Sequence, residues 1–137
     1  MIGGRVLDAT AISDIAIGRS IYAAAFLAAA NDLGIALALP AAALHEAWAR
    51  AGEADYPFVD LLLALPLTLV DPLDGDAAAR SGTAAGPRPG ADPPTWNPSA
   101  AHAALVSRER GWPVLTADPA SLQAIDPELA LDLLPGE

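Results

Sequence analysis

Two short apolar runs in this chain end on a carboxylate. Val6-Leu7-Asp8 and Val114-Leu115-Thr116-Ala117-Asp118 both read as strands with an acid at the carboxyl end. In open α/β sheets, sites form beyond the carboxyl ends of the strands. If both runs are parallel and near the sheet centre, Asp8 and Asp118 meet at one rim. Like charges that close repel unless a cation sits between them. Carboxylates are hard oxygen donors, suited to Mg²⁺ or Mn²⁺. Each acid also has a plainer reading as a helix cap. Asp118-Pro119 is a common helix start, and Asp8 is placed to cap whatever follows it.

A third carboxylate, Glu46, falls about two turns into a helix opened by Pro40. Leu44, Ala47 and Trp48 around it are apolar, so Glu46 lies on a solvated face or looks inward at a site, and spacing does not decide between them. His45-Glu46 resembles the start of a zinc-protease helix, but Ala49 stands where the second His is required. His102 is expected as a packed or surface residue rather than a catalytic base. Trp96, in a Pro-rich stretch, could stack a base; the expectation is an anchor pinning that loop to the body. Asp71, before Pro72, reads as a turn residue.

Several classes are excluded. There is no Cys, hence no disulfide framework, Cys zinc site or thiol nucleophile. There is no Gly-x-Ser-x-Gly, no phosphate loop and no Gly-x-Gly-x-x-Gly after the first strand. The formal charge is −10 and all seven basic residues are scattered Arg, so no basic nucleic-acid footprint exists. Nucleic-acid chemistry would need a local site, with a metal supplying positive charge. Asp8 and Asp14 interrupt any signal-peptide core. The apolar stretch Leu33 to Leu44 is about a dozen residues, short of the roughly 20 that span a membrane. A soluble, cytoplasmic protein without a membrane partner is expected.

The elements that must position these residues follow from apolar spacing and breakers. Strands are expected at 5–8, 35–39, 67–70, 113–116 and 129–133. Helices are expected over 9–17, 20–32, 41–51, 55–65, 76–85, 99–110 and from Asp118 to about Ile125. Residues 86–98 hold five Pro and two Gly and read as an internal loop. Of the 53% hydrophobic residues, 33 are Ala, so the core must be built from closely packed Ala-rich helices and Leu. At 137 residues one domain, 1–137, is expected. Alternating strands and helices argue for an α/β fold with a mostly parallel central sheet of four to five strands, covered by helices on both sides in three α/β/α layers.

The chain resembles PIN-domain proteins, specifically the small VapC-type toxins of toxin–antitoxin pairs. Val6-Leu7-Asp8-Ala9-Thr10-Ala11-Ile12 resembles the family's first strand, first acid and following hydroxyl residue. Leu39-Pro40-Ala41-Ala42-Ala43-Leu44-His45-Glu46-Ala47 resembles the block carrying the second acid. Ala101-His102-Ala103-Ala104, then Gly111-Trp112-Pro113-Val114-Leu115-Thr116-Ala117-Asp118, resembles the closing block with its Thr-x-Asp. The resemblance implies a PIN-like fold and an Mg²⁺ or Mn²⁺ centre on Asp8, Glu46 and Asp118, with Thr10 and Thr116 as supporting hydroxyls. It also implies hydrolytic cleavage of RNA, in which the metal polarises a phosphodiester and lowers the pKa of the attacking water. A cognate antitoxin covering the acidic pocket is implied, and frequently a homodimer. One position departs: where the family carries its third acid stands Asn97, which keeps an oxygen but removes a charge. A unit charge pair at 4 Å is worth about 4 kcal/mol at an effective dielectric of 20. Asp92, five residues upstream, is the alternative donor. Asn97 therefore raises a second expectation, a catalytically degenerate PIN-like protein-binding module.

Overall fold

The computed structural model describes residues 3–18, 20–87 and 96–135. Its elements, in chain order, are β1 (Gly4–Leu7), α1 (Ala9–Ser13), α2 (Ile21–Leu33), β2 (Ala36–Pro40), α3 (Ala41–Arg50), α4 (Tyr56–Ala64), β3 (Thr68–Asp71), α5 (Gly75–Ala85), α6 (Pro98–Arg110), β4 (Val114–Thr116), α7 (Pro119–Ile125) and β5 (Leu131–Leu133). A π-helical turn, Asp14–Gly18, follows α1, and a short 3₁₀ turn, Glu53–Asp55, precedes α4. The single helix expected over 9–17 is thus split after Ser13.

Among the described residues the five strands form one sheet, ordered β3-β2-β1-β4-β5, with every pairing parallel. Successive side chains of a strand point to opposite faces, and here both faces are dry. Leu7, Leu37, Leu39 and Leu115 pack on one side with Ile12, Ala43 and Ala47 from α1 and α3. Val6, Ala38 and Val114 pack on the other with Ala100, Ala103 and Ala104 of α6 and Leu122 of α7. Ala makes this possible, because α6 lies close against the sheet only where its side chains are small.

Helix ends follow local chemistry. Ser20 caps α2, its hydroxyl accepting from the Ala23 amide at 3.0 Å. Gly34 and Gly111 close α2 and α6 at φ 69° and 71°, a left-handed conformation that costs a residue without a Cβ little. Gly4 is fixed by packing: a Cβ there would lie 2.5 Å from the Trp112 ring.

The connections run from β1 outward through β2 to β3, then return across to β4 and outward to β5. The direction reverses between β1 and β4. A crevice opens at such a switch point, beyond the carboxyl ends of the strands, and it is there that Asp8 and Thr116 lie.

Candidate active site

Asp8 follows β1 directly and caps α1, its Oδ1 accepting from the Ala11 amide at 2.9 Å. The plainer reading therefore holds, but capping uses only part of the carboxylate. The Thr10 hydroxyl donates to Oδ1 at 2.7 Å and the Thr116 hydroxyl donates to Oδ2 at 2.5 Å. Each hydroxyl in turn accepts a backbone amide: Thr10 Oγ1 from Ala117 at 2.9 Å, Thr116 Oγ1 from Asp118 at 2.8 Å. A hydroxyl has one proton to give, so both are committed to Asp8. Asp8, the two hydroxyls and the amides of Ala11, Ala117 and Asp118 form one network across the ends of β1 and β4.

The network joins acids. Asp8 is 6% exposed, and burial raises its pKa. Hydrogen bonds from Thr116, Thr10 and Ala11 pull the other way, and the charge of Asp118 pushes it up again. A buried carboxylate beside a second one is disfavoured as an anion until a cation arrives. Asp118 also caps α7, accepting from the Ser121 amide at 3.3 Å and the Ser121 hydroxyl at 2.5 Å.

Glu46 and Asn97 make a second group, where α3 crosses the start of α6. The Ser99 hydroxyl lies 2.9 Å from Glu46 Oε1 and 3.2 Å from Asn97 Oδ1, so its one proton is shared between them. Asn97 caps α6 through the Ala100 amide at 3.1 Å. The Arg50 guanidinium lies 3.4 Å from Glu46 Oε2, one turn along α3. A cavity of about 450 Å³ touches one member of each group, Thr10 and Glu46, and is lined also by Arg50, Asp14 and Ala117, with Ile17 and Leu134 as its apolar part; Asp8 and Asp118 do not line it.

Oxygen donors suit Mg²⁺ or Mn²⁺, and Mg²⁺ is commonly held by one or two carboxylates plus water and substrate phosphate. Asp8 and Asp118 fit that description: Asp8 Oδ2 carries one hydrogen bond against two on Oδ1, and the repulsion between the acids is relieved by a cation. A larger cage is absent. Among the described residues no three His, Cys, Asp or Glu side chains form a group that could hold a metal, so Asp8, Glu46 and Asp118 are not gathered into one three-acid site. Asp92 lies outside the described residues.

Other expectations resolve differently. His102 is 1% exposed. Its Nδ1 accepts from the Ala42 amide at 3.3 Å, and it is bonded to the Pro72 backbone. Proline offers only a carbonyl, so Nε2 carries the proton and the ring is neutral. Burial lowers its pKa, against the raising effect of Asp71 and weaker ones of Pro72, Glu109 and Asp74. The α3 terminus has no side-chain cap from its own Pro40, and His102 supplies one from α6. Trp96 is not an anchor: it is 92% exposed. Asp71 is more than a turn residue, since it ends β3 and takes two bonds from Arg110, at 2.7 and 3.0 Å. Sequence reasoning missed Ser99, although its place two residues after Asn97 in a helical first turn was a usable signal.

No family model and no curated protein matches the sequence. The fold, in contrast, is similar to a solved one. Over 98% of this chain and 100% of the other, it superposes with a TM-score of 0.70 and 14% identity on a chain from the crystal structure of VapBC2 from Rickettsia felis bound to a DNA fragment from their promoter. The fold is thus PIN-like, an α/β domain with a parallel five-stranded sheet.

Proposed function

We propose that the chain is a divalent-metal-dependent endoribonuclease of the PIN type and the toxin of a toxin–antitoxin pair. The observation that carries this is Asp8, buried at the switch point, oriented by two threonines and electrostatically coupled to Asp118. The likeness to VapBC2 supports the reading, and by analogy an antitoxin as partner.

In this proposal Asp8 and Asp118 hold Mg²⁺ or Mn²⁺, which when bound would lower the pKa of a water and polarise the phosphodiester. Thr10 and Thr116 fix the Asp8 carboxylate so that little reorganisation accompanies the reaction. Glu46, which accepts from Ser99, lines the cavity that Thr10 also lines and would take a proton from a water bound there. Asn97 holds Ser99 in place and contributes an oxygen without charge.

A second reading has a specific observation behind it. Asn97 Oδ1 is already engaged by Ala100 and Ser99, and no three-acid group forms among the described residues. A protein-binding module that has lost catalysis would look the same here. Mn²⁺ separates the two. A ligand that binds only the folded state at ten times its Kd stabilises by about 1.4 kcal/mol, which raises Tm by about 3–6 °C in a chain of this size. The nuclease predicts that rise and its loss in Asp8→Asn. No shift at millimolar Mn²⁺ favours the module.

A further inference from the structure

We propose that Arg50 is the residue that grips the substrate's phosphate backbone, exchanging Glu46 for a phosphate when nucleic acid enters the cavity. This rests on the ribonuclease reading and adds the substrate contact it lacks. A chain of net charge −10 with two acids at its centre repels a polyanion. Beyond the divalent ion, affinity must come from a cationic side chain at the site itself.

Arg50 is the one cationic side chain, among the described residues, that lines the cavity shared by Thr10, Glu46 and Ala117. The other described arginines are committed elsewhere. Arg5 is 2.5 Å from Asp132, Arg80 binds both Asp76 and Glu109, Arg108 is paired with Asp126, and Arg110 is bidentate on Asp71. Arg50 makes the longest of these ion pairs, at 3.4 Å, and its side chain is the most exposed, at 68%. Exposed ion pairs within a helix are weak. A guanidinium offers two parallel N–H bonds to a phosphate, so the exchange favours the substrate. The apolar wall of Ile17 and Leu134 lies along the same cavity and suits the face of a base.

The test is equilibrium binding of a short fluorescent random-sequence RNA, in calcium to limit cleavage, across a salt series. Arg50→Ala is expected to weaken binding about tenfold and to reduce the slope of log affinity on log salt by about 0.7, the loss of one phosphate contact to a single strand. Arg50→Lys restores the slope and only part of the affinity, because charge returns without the fork. Glu46→Gln, which removes the carboxylate paired with Arg50 and leaves Asp14 in the cavity, tightens binding, and the gain vanishes when combined with Arg50→Ala. Arg108→Ala leaves all of these unchanged. Wild-type slope and affinity in Arg50→Ala, with RNA still bound and cut, overturn the inference alone. Absence of RNA binding by wild type at low salt overturns it together with the ribonuclease reading.

Discussion

Asp8 holds an uncomfortable position, and its neighbours explain why it persists. Burial and Asp118 raise its pKa, so the folded chain binds a proton there more readily than the unfolded chain does. Stability therefore falls as pH rises from the ordinary carboxylate value through the raised one, and the cost is fully present above it. Asp8→Asn can keep the cap to Ala11 and the Thr10 bond, while the Thr116 hydroxyl turns to accept. The variant is expected to melt at or above the wild-type Tm at neutral pH, with a smaller loss of stability on raising pH from acid, as followed by thermal denaturation. At Asn97 the missing charge can be returned without harm to the helix, since Asp caps as well as Asn. Asn97→Asp is expected to leave stability within about 0.5 kcal/mol of wild type and to increase the Mn²⁺-induced shift in Tm and RNA cleavage. Unchanged metal response in a folded Asn97→Asp would remove that position from the site.

At the level of elements, α3 and α6 must be held in register for Glu46, Ser99 and Asn97 to meet, and His102 does this by capping α3 from α6. Because burial lowers its pKa, the folded state resists protonation. Stability from this neutral ring is present above the ordinary His value near 6.5 and is lost as pH falls below it. Tm is expected to drop between pH 7 and pH 5, and His102→Asn, which can still accept from Ala42, is expected to flatten that dependence. An equal drop in the variant would assign it to other groups. These elements were largely legible in the sequence. Ser20, Pro40, Gly34 and Gly111 marked helix ends by backbone chemistry that acts locally. The π-helical turn at Asp14–Gly18 was not, because nothing in the apolar spacing separates it from α-helix. Nor was the exposure of Trp96, since an aromatic residue's burial depends on tertiary contacts that its neighbours in sequence do not encode.

Across the whole molecule, the sheet order explains which site residues could be read from sequence. Asp8 and Asp118 each end or follow an apolar strand, so a parallel sheet with β1 and β4 adjacent brings them together whatever the details of the helices. Ser99 and Arg50 gain their roles from α3 packing on α6 and from a cavity between distant segments. No local pattern encodes such contacts over 53 residues of separation. Charge acts at this scale too. With −10 overall, nonspecific affinity for RNA is expected to be low. The central claim is that the acidic pair at the switch point cuts RNA with a divalent ion. It is tested most directly by incubating RNA with folded wild type and folded Asp8→Asn, each with Mn²⁺ and with chelator. Cleavage by wild type in Mn²⁺ alone, reduced about 100-fold or more in Asp8→Asn, is the expected result. Intact RNA with wild type in Mn²⁺, or equal cleavage by the two proteins, contradicts it.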